Sequence, residues 1–503
     1  PRAATRMLLA TLLLTMTAQT AWAVWVDYID ENGTKKEEGN ATVLNGGGAT
    51  TLTAGLYVVT HDITYTGTVT LSGNVKIVLN DGCTMNIGTS ESRLSGKGFY
   101  YNSNESLTIY GQTNGTGALS VYTTGESNYA ICAGAITING GHVTADTNGP
   151  NGHAIYAEAI TINGGHVTAH TAGNYACAIY SRISAFTYNG GIVSASTEDT
   201  SSFDYRYNAP AIASDNYTFN WRSATDRITI GTTGLLFDPN APLGYTTTAT
   251  FSKPFSDGTT TYSGTLTDTE LNALANKTLQ PAYTITYDLA GGIVATANPT
   301  TYTIGSADIT LNNPTKDGYT FAGWTGTDLG AATTSVTIAH GSTGDRSYTA
   351  TWRKLLTNTD ITVTIPTQEW TGSELTPTIT LKDGETALTE TTDYTVTLPS
   401  GRTNSGDYTV TLTGAGNYDG TTTKTFTIMP KAVGTYGALA VTEDQNGKTA
   451  TIDASLEATI EITSDVEINQ VELQRSFTAN QPATVMLPFS LGTGQTVSGG
   501  SFY

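Results

Sequence analysis

The chain has 503 residues, of which only 13% are charged, and a formal net charge of −20. That acidic balance excludes a surface built to neutralise nucleic-acid phosphates. With 38% hydrophobic residues and the charge diluted over a long chain, several modest cores can form and general disorder is excluded.

The chain opens on Pro1, so either its start is incomplete or Met7 is the start. Residues 1–23 are expected to be a signal peptide: Arg2 and Arg6 precede the apolar run MLLATLLLTMTAQTAWA, which ends in the small-x-small site Ala21-Trp22-Ala23. Export to the cell surface or the medium follows. The run is too short to cross a membrane, nothing later approaches a span, and no Cys follows for a lipid anchor.

Residues 24–235 are expected to form a parallel β-helix with an N-terminal cap. AITINGGHVTA occurs at Ala135–Ala145 and again at Ala159–Ala169, and a looser copy, AFTYNGGIVSA, follows at Ala185–Ala195. Spacings of 24 and 26 residues suit one coil of a solenoid. Within each copy apolar residues alternate, so Ile136, Ile138, Val143 and Ala145 should point inward and Thr137, His142 and Thr144 outward. The Asn-Gly-Gly supplies a tight turn, and Asn139, Asn163 and Asn189 should stack from coil to coil. A second register, Ala130-Ile131-Cys132, Ala154-Ile155-Tyr156 and Ala178-Ile179-Tyr180, repeats at 24 and echoes at Ala211-Ile212-Ala213. Cys83, Cys132 and Cys177 are an odd set without metal-ligand spacing and are expected to be buried free thiols.

Residues 236–281 read as a cap or linker. At Tyr283 the style changes: YTITYDLAGG, NPTKDGYTFAGWTG and SYTATW, with GYTFAGW at Gly318–Trp324, resemble the Listeria–Bacteroides repeat, or internalin B-repeat. The resemblance implies a small β-grasp-like module over residues 282–353, of a kind found on bacterial surface and secreted proteins. Ile285, Tyr287, Tyr319, Phe321, Trp324, Tyr348 and Trp352 should form its core. Residues 354–430, where DYTVTL recurs at Asp393–Leu398 and Asp407–Leu412, resemble an Ig-like β-sandwich stalk module. Residues 431–503 form a last β-rich segment. Its VELQRSFTANQPATVMLPFS resembles the C-terminal part of the same class of Bacteroidetes surface proteins, and its closing GGSFY reads as a truncated strand. The expected fold class is therefore all-β, a right-handed parallel β-helix followed by small β-grasp-like and β-sandwich modules.

Parallel β-helices include polysaccharide lyases and hydrolases, which gather a base or paired carboxylates on one outer sheet. Here Glu105, Glu126, Asp146, Glu158, Glu198, Asp199, Asp204 and Asp215 are scattered over coil positions, no Lys occurs between Gly98 and Ser252, and Arg182 stands alone on its copy. Catalysis, a bound metal and a cofactor are not expected. His142 and His166 occupy one outward slot in successive copies, as do Tyr156 and Tyr180. These four residues are the candidate carbohydrate-binding site, with aromatic faces for a sugar ring and ring nitrogens for its hydroxyls. The plainer alternative is a ladder of like residues decorating a sheet. The expected function is a non-catalytic surface or secreted adhesin that binds glycans. A polysaccharide-degrading enzyme and a passive surface protein are the rivals.

Overall fold

The computed structural model describes residues 23–101, 104–198, 210–214, 216–231, 248–266, 270–271, 273–453, 460 and 467–474. Residues 1–22, where nearly all of the expected signal peptide falls, residues 199–209 with Asp199 and Asp204, Asp215 and residues 475–503 lie outside the described residues. The fold is all-β, as the alternating pattern predicts.

Between residues 35 and 251 the described strands alternate between two sheets, and within each sheet successive strands pair in parallel. In one sheet Ile131–Ile138 pairs with Ile155–Ile162, so that Ile136 meets Ile160 and Ile138 meets Ile162. In the other, His142–Thr147 pairs with His166–Thr171, which pairs in turn with Ile192–Thr197, and the two sequence copies lie one above the other without a shift. The inward residues Ile136, Ile138, Val143, Ala145, Ile160, Ile162, Val167 and Ala169 are all buried in one continuous core. Each fully buried Ile contributes about 1.5–3 kcal/mol. The looser third copy keeps the register but exchanges Ile for aromatics. Phe186 and Tyr188 stand over Ile160 and Ile162, and Tyr217 and Phe219 follow them. Their buried hydroxyls are satisfied locally, Tyr188 donating to the Gly191 carbonyl at 2.6 Å and Tyr217 to the Ile212 carbonyl at 2.8 Å.

The Asn-Gly-Gly turns hold the stack at one corner. Asn163 Nδ2 donates to Asn139 Oδ1 at 2.7 Å, Asn189 Nδ2 to Asn163 Oδ1 at 2.6 Å, and Asn220 Nδ2 to Asn189 Oδ1 at 2.8 Å. Asn220 thus extends the expected ladder by one coil. Gly165 is required twice over: its φ is +84°, and a Cβ there would lie 2.6 Å from the Gly141 carbonyl of the coil below.

An antiparallel hairpin covers part of the outer face of the first sheet, and antiparallel strands close the far end of the stack. Ala23–Ile29 and Lys35–Val43 form a hairpin whose Val26, Tyr28 and Ala41 cover Leu56, Val58, Val78 and Tyr110. At the far end Thr278–Pro281 runs antiparallel to Arg227–Ile230, and Leu266, Leu271, Leu274 and Leu279 join the core. No disulfide joins the three cysteines; Cys132 and Cys177 are buried, but Cys83 is only half-buried, which corrects that expectation.

Beyond the stack, Tyr283–Asp288 pairs in parallel with Arg346–Leu355, which pairs antiparallel with Tyr319–Gly326. Ile285, Trp324 and Tyr348 are buried there, while Tyr287, Phe321 and Trp352 pack at the margin. Tyr319 is not part of this core; Lys316 lies over its ring at 4.2 Å. The two DYTVTL copies lie in adjacent antiparallel strands, Tyr394–Thr397 and Gly406–Gly414, around Val410, Leu412, Phe426 and Ile428. A last sheet, with Val441 and Ala450 in its core, ends at Gln470–Gln474.

The Asn ladder yields the first prediction. Asn163→Ala removes two amide bonds and leaves partners on both neighbouring coils, so it should cost about 2 kcal/mol in thermal or denaturant unfolding. A loss within experimental error would show that water replaces the amides and that the ladder does not hold the corner.

Candidate functional site

Parallel register converts a residue's slot in the repeat into a column running along the stack. The slot of Ile131, Ile155 and Ile179 points inward, and the residue after it, Tyr100, Cys132, Tyr156, Tyr180 or Ala213, points outward. Three residues earlier a second outward column contains Lys97, Tyr129, His153 and Cys177. The two columns bring Tyr129, His153 and Tyr156 together as near-parallel rings. Tyr129 and Tyr156 are 4.9 Å apart at 15°, and His153 lies 5.7 Å from Tyr129 and 5.6 Å from Tyr156. Tyr180 closes one end, its ring edge-on to Tyr156 at 5.5 Å. Tyr156 is half-buried, but Tyr180 is only 7% exposed, packed with Cys177 and Ala213. Tyr180 is therefore a support for the face and not, as expected, an open platform. His153 Nδ1 accepts the Cys177 N–H at 2.8 Å, and burial pushes the ring's pKa down to about 4, so it is neutral at physiological pH. Asn151 and Asn174 border this edge, the Asn151 N–H donating to the Asn174 carbonyl.

Two cations flank the rings. Lys97 lies 3.8 Å from the Tyr100 centroid and 5.7 Å from that of Tyr129. Arg182 follows Tyr180 by two residues and its N–H is bonded to the Ala157 carbonyl, which sets it beside Tyr156. The Tyr156 oxygen raises the Arg182 pKa, through charge first and a hydrogen bond second. Tyr100, Tyr129 and His153 were not singled out from the sequence, although Tyr129, His153 and Cys177 recur at the coil spacing of 24.

His142 and His166 stand elsewhere, on the outer face of the second sheet. They stack at 4.6 Å and 20° and are both exposed. Burial, then the neighbouring His142, lowers the pKa of His166. The four expected binding residues thus fall on two faces and make two separate pairs. Two slots along from His142 and His166, the second face holds a charge cluster that scattered acids did not suggest. Asp146 pairs with His170 in the ladder and accepts from Arg93 at 2.8 Å, and His170 lies 3.4 Å from both Asp146 and Glu198. Hydrogen bonding to Asp146 raises the His170 pKa. Burial works to raise that of Asp146, but bonds from His170 and Arg93 outweigh it and the net shift is downward. No group of three metal-binding side chains occurs among the described residues.

Compared with known families, residues 283–351 match the Listeria-Bacteroides repeat domain. This segment is a Listeria-Bacteroides repeat. The match confirms the resemblance seen in GYTFAGW and assigns a small part of the chain to a module typical of extracellular, surface-associated proteins. No curated protein matches the chain. Among the described residues no helix is long and apolar enough to cross a membrane. The repeat has an open cavity of about 310 Å³ lined by Thr327, Asp328, Thr337, Arg346 and Tyr348. Its one guanidinium is already paired, to Asp328 at 2.7 Å and to the Tyr302 hydroxyl at 3.0 Å, so the cavity offers little to a ligand.

The histidines should titrate in opposite senses. The raised pKa of His170 gives stability that is full below its unfolded value of about 6.5 and is lost as pH rises through the folded value. The lowered pKa of Asp146 gives stability present above about 3.9 and lost as pH falls further. His153, held neutral to about pH 4, instead penalises the folded state as pH falls from about 6.5, by up to about 3 kcal/mol. NMR titration of the imidazoles should place His153 near 4 and His170 above its free value. An ordinary midpoint for His153 would show a ring open to water.

Proposed function

We propose that the protein is a non-catalytic, secreted or cell-surface adhesin that binds a glycan on the Tyr156 face of the stacked coils. The Listeria-Bacteroides repeat and the sandwich behind it form the stalk. The observation that carries the reading is the set of near-parallel rings of Tyr129, His153 and Tyr156. Such rings offer apolar faces to a sugar's C–H surface, with polar groups at the margin to take its hydroxyls. The repeat supports the location, since it is a module of extracellular proteins. Nucleic acid is not an expected partner of so acidic a chain, and no cofactor is required.

The enzyme reading is favoured by one observation, the gathering of Asp146 and Glu198 about His170. Glycoside hydrolysis needs one carboxyl that holds a proton and one that does not. Asp146 is locked as the anion by Arg93 and His170, which suits a structural clamp better than proton transfer. A passive coat protein needs no aromatic face at all.

A glycan array probed with the full chain, together with product analysis on the polysaccharides it retains, tests these readings. Tyr156→Ala should lower retention at least tenfold while leaving the melting temperature within about 2 °C of the parent, because this ring is half-buried. Tyr180→Ala should instead cost about 3 kcal/mol of stability, as loss of a buried aromatic does. Full retention by Tyr156→Ala would move the site to another face, and release of oligosaccharide products would replace the adhesin with an enzyme.

A further inference from the structure

Lys97 and Arg182 mark the two ends of the Tyr156 face. Lys97 precedes Tyr100 on one coil, and Tyr129, then His153 with Tyr156, then Tyr180 with Arg182 occupy the next three. Coils repeat at strand spacing, so the two cations are roughly 14 Å apart along the stack. Arg182 is exposed and Lys97 half-buried. The coil below Arg182 carries Glu158 at the matching position, since Ala157 pairs with Ser181, yet among the described residues Arg182 forms no ion pair. Arg93, Lys277, Arg346, Lys354 and Arg402 are held in ion pairs, whereas Arg222, Arg227 and Arg353, like Arg182, are in none among the described residues. A cation at each end of a face of tyrosine rings is a feature that a neutral ligand does not use.

We infer that the ligand of this face is an acidic glycan, with sugar carboxylates met by Arg182 at one end and Lys97 at the other. The inference rests on the glycan-binding reading and narrows it to a substrate class. A planar guanidinium engages a carboxylate through two parallel N–H bonds, a geometry that an ammonium lacks, so Arg182 supplies the directional contact and Lys97 a point charge. The tyrosines between them take the ring faces of the intervening sugar units.

The test uses the full chain, with trigalacturonic acid and its neutral methyl ester as paired probes in calorimetry. The acid should bind the parent at least tenfold more tightly than the ester. Arg182→Gln should remove most of that preference, Arg182→Lys should restore part of it, and Lys97→Gln should weaken the acid more than the ester. Added salt should weaken binding of the acid and spare the ester. Equal affinity for acid and ester, or an unchanged preference in Arg182→Gln, overturns the acid assignment while a Tyr156-dependent ester signal keeps the glycan reading intact. If Arg182 serves only to brace Tyr156, Arg182→Gln lowers the melting temperature and leaves the preference unchanged, which also overturns it. No binding of either probe to the parent overturns the assignment to uronates, and the array then decides the broader reading.

Discussion

Register is the constraint on which the rest of the stacked region depends. Once Ile136 sits beside Ile160 and Ile138 beside Ile162, every other slot in the repeat is committed to a column. A slip of one residue would turn the whole apolar set outward. The Asn ladder at the corner resists that slip, because each amide both donates to one coil and accepts from the next. The glycines that follow let the corners approach closely, since a Cβ added at Gly165 would lie 2.6 Å from the carbonyl below. Aliphatic burial thus supplies most of the stability, and the polar corner selects the register.

A column of like residues is favourable for amides and unfavourable for charges. The outer columns follow from that asymmetry. His142 over His166 works because the rings stack and proton uptake on His166 is opposed by its neighbour. Two slots along, the same spacing sets Asp146 against His170, so the column alternates in charge, and Arg93 and Glu198 extend the network at either side. Identical acids at that slot would repel across one coil spacing.

These differences explain what could be read from the chain. The interior was legible because burial depends on period alone, and the alternation of Ile, Val and Ala is explicit in both AITINGGHVTA copies. The Asp146–His170 pair was legible in principle, since TADT and TAHT fill the same slot 24 residues apart, but treating the acids as a list hid it. Arg93 could not have been placed, because it belongs to an earlier coil with no matching repeat. The exposure of Tyr180 was equally hidden. An outward direction says which face a ring lies on, but whether it meets water depends on neighbours such as Cys177 and Ala213. For the same reason His142 and Tyr156, both outward, were grouped together although they project from different sheets.

The units after the stack meet a different physical demand. The repeat packs Trp324, Tyr348 and Tyr302 at its centre, with Trp324 Nε1 donating to Asn313 at 3.0 Å, whereas the last sheet buries only Leu439, Val441, Ala450 and Ile452. The joint to the next unit is not a bare tether. Leu355 pairs with Asp419 across it, and Lys354 reaches Asp360 and Asp383 at 2.8 and 2.5 Å. One partly buried ammonium shared between two carboxylates holds direction as well as distance, whereas a glycine-rich linker would hold only reach. The interior leaves little freedom for change, while the outer columns can differ from coil to coil without disturbing the register. On the proposed binding reading, specificity is therefore written in the outward slots, and the Tyr156 face, with its rings and its two flanking cations, is the set of slots that reading uses.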